Sequence, residues 1–195
     1  MKRLVGKIAV VTGGGSGIGA AVARAFAREG AEVVICGRRV QALEATRAVI
    51  ASAGGTAVVV PADLTRREDG VRLVEAIRTR FGRLDVLVNN AGILGAHAPI
   101  PEYPDDVWDA VIAANLTAVF RLTKASLPLM PRGGSIINVS SSVGRIGRAG
   151  WGAYSVSKFG VEGFSQVLAD ELRERGIRVN TVNPGGTRTA MRAAA

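Results

Sequence analysis

At 195 residues, with 48% hydrophobic and 21% charged side chains, the chain is long enough to bury one substantial core and too apolar to be disordered. The net charge of +9 comes mostly from arginines scattered singly or in pairs, without a Lys/Arg block or interleaved aromatics, which argues against a nucleic-acid partner. Apolar runs such as residues 9–11 are far too short for a membrane span, the first residues lack a signal-peptide layout, and Cys36 has no second cysteine to pair with, so a cytoplasmic protein with a buried thiol and no membrane partner is expected.

Strand and helix patterns alternate from the start. Residues 7–12 read as a buried strand, followed by a glycine cluster and a helix over 17–29. A strand over 31–37 leads to an amphipathic helix over 40–53, stopped by Gly54-Gly55. A third strand covers 56–61, and a helix over 66–81 closes at Gly82. The fourth strand spans 84–89, and a long helix runs over 105–129. A fifth strand at 135–140, a helix over 153–175 closed by Gly176, and a sixth strand at 177–183 complete the pattern.

Short, unbroken apolar strands separated by helices call for a parallel α/β sheet covered on both faces. Right-handed crossovers make it doubly wound, a Rossmann-type arrangement with strand order 3-2-1-4-5-6 and one domain over residues 1–195. Ligands in such sheets bind at the carboxyl ends of the strands, near the reversal of strand order. Residues 12–19, 37–39, 63, 89–92, 140–142 and 183–189 all fall at that edge.

Thr12-Gly13-Gly14-Gly15-Ser16-Gly17-Ile18-Gly19 joins the first strand to the first helix. Glycines there let the backbone approach a pyrophosphate, whose charge the helix N-terminus favours. Gly15-x-Gly17-x-x-Ala20 satisfies the dinucleotide fingerprint with alanine last, and the strand-loop-helix context supports it. The second strand ends in Gly37-Arg38-Arg39 without an acid. An arginine accommodates a ribose 2′-phosphate, so NADP(H) is favoured over NAD(H).

Tyr154 and Lys158 share one face at the start of the helix over 153–175. A phenol titrates near 10, poorly matched to proton transfer at neutral pH, and an ammonium one turn away is expected to lower that value. Four-residue Tyr/Lys spacing is common on ordinary helices and means little alone. Ser140-Ser141-Ser142 ends the fifth strand just upstream, where a hydroxyl could meet a developing oxyanion. Asn89-Asn90-Ala91-Gly92 is either a turn or a cofactor-lining loop. Asn115 is an amide on an otherwise apolar helix face, suited to packing or to holding water.

Together these segments resemble the short-chain dehydrogenases/reductases, whose motifs occur in this order along essentially the whole chain, and within that family the YciK-type bacterial oxidoreductases. The resemblance implies hydride transfer between NADP(H) and a small carbonyl or alcohol substrate. It makes Tyr154 the general acid/base and places it, with Lys158, against the cofactor, Lys158 binding the nicotinamide ribose and lowering the tyrosine pKa. Ser141, thirteen residues before Tyr154, takes the catalytic serine position, and Asn115 holds a water in a proton relay. Gly13, Gly15, Ser16, Gly17, Ile18 and Gly19 would cradle the pyrophosphate, and Arg38 and Arg39 would face the 2′-phosphate. Asp63, with Leu64 beside it, would meet the adenine, and Asn89, Ala91 and Gly92 would line the cofactor. Pro184, Gly185, Thr187 and Thr189 would approach the nicotinamide and its phosphates.

One departure stands out. Members of the family usually continue past Met191-Arg192-Ala193-Ala194-Ala195 into a substrate-covering segment and a seventh strand, so a C-terminally truncated form is expected, with the sixth strand at the sheet edge. A catalytically weak NADP(H)-binding sensor or assembly subunit is the alternative function. A homodimer or homotetramer through the helices at 105–129 and 153–175 is implied. His97, the only histidine, reads as an exposed loop residue, and no metal site is expected. Trp151 either lines the substrate entrance or packs the loop.

Overall fold

The computed structural model describes residues 2–193. Strands β1 (Ile8–Thr12), β2 (Glu32–Gly37), β3 (Thr56–Pro61), β4 (Val86–Asn89), β5 (Ser135–Val139) and β6 (Arg178–Val182) form one parallel sheet in the order β3-β2-β1-β4-β5-β6. Helices α1 (Gly17–Arg28), α2 (Val40–Ser52), α3 (Arg67–Phe81), α4 (Asp105–Ile112), α5 (Ala118–Ser126), α6 (Gly152–Glu171) and α7 (Ala190–Ala193) complete the set. The architecture and strand order match the sequence expectation.

The strands are apolar without interruption because both faces are covered. Alternate residues feed opposite layers. Val10, Val34, Leu87 and Ile136 pack with Leu73, Ile77, Leu122 and Leu168 from α3, α5 and α6. Ala9, Val11, Val33, Ile35 and Val88 pack with Ala23, Ala27, Leu43 and Ile50 from α1 and α2. Central β1 is buried along its whole length, whereas among the described residues β6 pairs only with β5 and exposes every second residue. The chain leaves β3 at one edge and returns to β4 beside β1, so order reverses between β1 and β4. That crevice positions the site.

Two elements differ from expectation. The helical stretch over 105–129 is interrupted by a π turn at Ala113–Thr117 and tightens into a 3₁₀ turn at Leu127–Leu129, where Pro128 cannot donate a helical hydrogen bond. With a mean hydropathy of 1.2 over the best window, Asp105–Leu129 also reaches the length and apolarity of a membrane span, against the reading that no such run exists. Its buried residues, among them Val111, Asn115 and Leu122, pack within the fold as those of a core helix. The helix expected over 153–175 stops at Glu171, and turns carry the chain to Gly176 at φ 64°.

Candidate active site

The phosphate end is built from backbone. Gly13 (φ 67°) and Gly17 (φ 52°) occupy the left-handed region that favours glycine. A Cβ on Gly19 would lie 2.3 Å from the Gly13 carbonyl oxygen, and one on Gly15 3.1 Å from Ala42 on α2. Ser16 precedes α1 without capping it through its side chain, and the first turn carries no acid. The Ser16 hydroxyl instead accepts a hydrogen bond from Arg39 Nη2 at 2.8 Å, which brings a guanidinium over the loop. Ile18 sits half-buried on the first turn of α1.

Against its partial burial, hydrogen bonds from Thr65, with a smaller contribution from the charge of the exposed Arg38, hold the Asp63 carboxyl below its ordinary value. Asp63 accepts from Thr65 N at 3.1 Å and Thr65 Oγ1 at 2.8 Å, fixing the turn after β3. Leu64 leans back onto the core. Across the crevice, Thr12 Oγ1 accepts from the backbone N–H of both Asn90 and Ala91 at 2.9 Å, while Asn90 Nδ2 donates to the Thr12 carbonyl at 2.8 Å. Thr12 and Asn90 thus lock the two loops together, a role the sequence reading missed. The available signal was a hydroxyl ending a wholly buried apolar strand, which requires a partner.

The sequence placed Asn89 against the cofactor, but its side chain turns inward. It is 4% exposed, and its amide donates to Thr123 Oγ1 at 3.0 Å and Asn138 Oδ1 at 2.8 Å. A buried amide must be satisfied, and the packed side of β4 offers these partners. Only the Asn89 backbone is left to face the crevice. Ala91 and Gly92 stay at the strand exit, where a Cβ on Gly92 would lie 2.9 Å from Asn115 Oδ1.

The reacting end is built from side chains. Asn115, in the π turn, accepts from Ile93 N at 2.8 Å and donates to the Ile93 carbonyl at 2.9 Å and to Ser157 Oγ at 3.1 Å. Its amide is therefore a clamp between the loop after β4 and α6. Lys158, 5% exposed, donates to the Val139 carbonyl at 2.7 Å and stands 5.7 Å from the Tyr154 ring centre. Glycine at 144 lets the turn after Ser141 pack directly onto α6, since a Cβ there would meet the Lys158 Cβ at 2.9 Å. Ser141 lies beside the Tyr154 hydroxyl.

Here the electrostatics depart from the sequence expectation. Burial pushes the Tyr154 phenol above its ordinary value, and only the Ser141 hydroxyl acts in the other direction. Burial also drives Lys158 down to about 8. Burial sets the direction for both groups, and no lowering of the tyrosine by the Lys158 ammonium enters in this arrangement.

Two loops flank these groups. Gly185 N donates to Asn183 Oδ1 at 3.1 Å and Thr187 Oγ1 to the Pro184 carbonyl at 2.9 Å, which curls the chain after β6. Thr189 then comes over the start of α1, within 3.2 Å of where a Cβ on Gly17 would sit. This segment links the reacting end to the glycine loop. Ser141, Arg148, Trp151, Asn183 and Gly185 line an open cleft. Trp151 serves both readings offered for it: it borders the cleft, and its ring packs 5.9 Å from Tyr154 and edge-on to the exposed His97 at 5.8 Å. Cys36 is buried, and burial raises its thiol to about 12.

The model of the short chain dehydrogenase family matches residues 7–195. The uncharacterized oxidoreductase YciK of Escherichia coli K12 is 44% identical over 194 residues, covering 97% of this chain and 77% of that protein. A short chain dehydrogenase from Shigella flexneri complexed with NADP superposes with a TM-score of 0.95 at 44% identity, covering 100% of this chain and 84% of that one. One from Escherichia coli CFT073 complexed with NADPH gives 0.95 at 44% identity, covering 100% and 82%. With the glycine loop, the Asn115 clamp and the Ser141-Tyr154-Lys158 group in place, this chain belongs to the short-chain dehydrogenase family of oxidoreductases.

Proposed function

We propose that the protein is an NADP(H)-dependent oxidoreductase interconverting a carbonyl and an alcohol, with Tyr154 as general acid/base. The observation that carries this reading is the convergence of Ser141, Tyr154 and Lys158 on the same sheet edge as a glycine loop crossed by Arg39. The residues present fit such a cofactor. A Cβ on Gly13, Gly15 or Gly19 would crowd Asn90, Ala42 or the Gly13 carbonyl, so glycine keeps this turn tight at the start of α1; that N-terminus carries no acid, and Arg39 and Arg38 stand where a 2′-phosphate favours arginine. Gly13, Gly15, Ser16, Gly17, Ile18 and Gly19 would hold the pyrophosphate, and Asp63 and Leu64 the adenine side. Ala91, Gly92, Pro184, Gly185, Thr187 and Thr189 would border the nicotinamide half. When bound, the nicotinamide supplies or accepts the hydride.

The chain's own groups manage the proton. A phenol held above its ordinary value is fully protonated at neutral pH, so Tyr154 is poised to donate to a substrate oxygen in the reducing direction. Ser141 donates a hydrogen bond to the same oxygen as charge develops on it. Lys158, driven down to about 8, can give up a proton near neutrality and so recharge the phenol. Asn115 fixes the π turn through Ile93 and Ser157, and because its amide is committed there, water-holding falls to the backbone of that turn.

Exposed Phe120 on α5 and Val156, Phe159 and Val167 on α6 support self-association through these helices into a dimer or tetramer. Light scattering showing only monomer would remove that part. A cytoplasmic setting suits the free, buried Cys36. The functional test is direct. NADPH fluorescence titration should show binding tighter than NADH, and absorbance at the reduced nicotinamide band should report turnover over a panel of ketones and aldehydes. Binding without turnover would favour a sensor or assembly role. Absence of NADPH binding would end the proposal.

A further inference from the structure

Behind the serine strand, one carboxylate joins four segments of the fold. Glu162 lies on α6 four residues after Lys158, with its side chain 13% exposed. Its Oε2 accepts a hydrogen bond from Thr181 Oγ1 on β6 at 2.9 Å. Its Oε1 stands 3.5 Å from Arg145 Nε. Arg145 follows the 3₁₀ turn Ser142–Gly144, and its backbone N–H donates to the Ser142 carbonyl at 3.2 Å.

Ser140, the residue before Ser141, is 2% exposed, and its hydroxyl has no partner of regular geometry among the described residues. Glu162 Oε1 is likewise buried and without a regular hydrogen bond. The two orphans are neighbours: the Ser140 hydroxyl, with Thr181 and Arg145, holds the Glu162 carboxyl below its ordinary value. A buried hydroxyl and a buried carboxylate oxygen each require a partner, and each can serve as the other's.

The positions of these partners matter more than their number. Ser140 and Arg145 bracket Ser141 on either side in sequence. Ser140 N also donates to the Val182 carbonyl at 2.9 Å, one residue before the cleft-lining Asn183. The exposed Arg145 contributes little stability through this ion pair, as is usual for solvent-exposed contacts. Its effect is geometric, tying the turn after Ser141 to the helix that carries Tyr154.

We propose that Glu162 is a positioning residue for the reacting end: by drawing Ser140, Arg145 and Thr181 onto α6, it fixes the Ser141 hydroxyl against Tyr154. The proposal rests on the oxidoreductase reading for its kinetic consequence but not for its spectroscopic one.

The experiment is a phenolate absorbance titration of Tyr154 in wild type and Glu162→Gln, with Tyr154→Phe subtracting Tyr103, alongside kcat, KM and NADPH Kd. Glutamine keeps the size but removes the charge. Loosening Ser141 should raise the Tyr154 midpoint by about half to one pH unit. In parallel, kcat should fall ~3–10-fold with NADPH Kd unchanged, as expected for an imperfectly placed hydrogen-bond donor. If Glu162→Gln does not fold, Thr181→Val and Arg145→Met carry the same test, each with a smaller shift in the same direction. An unchanged Tyr154 midpoint in a folded variant would overturn the proposal. So would a parallel loss of kcat, cofactor affinity and melting temperature, which marks general loosening. If wild type turns over no carbonyl but the midpoint still moves, the functional reading fails and the positioning role stands.

Discussion

The two ends of the crevice achieve order in opposite ways. At the phosphate end, positive-φ glycines, the Thr12–Asn90 lock and the start of α1 shape the site largely from backbone, with the Arg39 side chain bonded to the loop through Ser16. At the reacting end, Tyr154 and Lys158 sit in a pocket that disfavours the charged form of both, held by side chains from β5, the π turn and α6. The difference teaches that affinity for the cofactor and readiness for proton transfer are separable here. One depends on a glycine turn packed too closely for side chains, the other on how much charge the burial suppresses.

Forcing a side chain into that turn is the harshest way to probe that division. Gly19→Ala places a methyl 2.3 Å from the Gly13 carbonyl, so the loop must move. NADPH binding should be lost in fluorescence titration, and overpacking should cost about 1–3 kcal/mol in denaturant unfolding. Retained affinity would show that the loop is softer than its contacts imply. Arg39→Ala is the milder probe of the same end. Removing a charge-assisted contact to a phosphate should weaken NADPH by ~10–100-fold while leaving NADH little changed and kcat within about twofold. Equal losses for both cofactors would assign Arg39 to the pyrophosphate instead.

The reacting end should respond to pH. In the folded chain Lys158 titrates at about 8, against 10.5 for the free side chain, so the unfolded chain binds more protons between those values and wild-type stability rises with pH across that window. Below pH 8 the disfavoured charge corresponds to about 3 kcal/mol, and the hydrogen bond to Val139 offsets about 1 kcal/mol of any gain from its removal. Lys158→Met should therefore be more stable than wild type by about 2 kcal/mol at pH 7 in urea unfolding, with the advantage shrinking toward pH 10. A variant less stable at pH 7 would show that Lys158 is held charged by partners the burial argument neglects.

Much of this was legible in sequence because it is local or periodic. Unbroken apolar runs such as Ile8–Thr12 announce a buried parallel strand, and a glycine loop between strand and helix announces its use. What escaped depends on contacts distant in the chain. Asn89 looked like a lining residue until Asn138 and Thr123 were seen to claim its amide. The Tyr154–Lys158 spacing suggested attraction, whereas burial, which spacing cannot express, sets the direction of both pKa values. The π turn around Asn115 leaves no mark in an apolar helical pattern.

Separability of the two ends is tested most directly by Tyr154→Phe, assayed for turnover and for NADPH affinity in the same preparation. Loss of the general acid should lower kcat by ~10²–10⁴-fold. Because the glycine loop and Arg39 do not touch the phenol, the NADPH Kd should stay within about twofold, less than ~0.5 kcal/mol. Near-normal turnover in that variant, or a loss of affinity as large as the loss of rate, would contradict it.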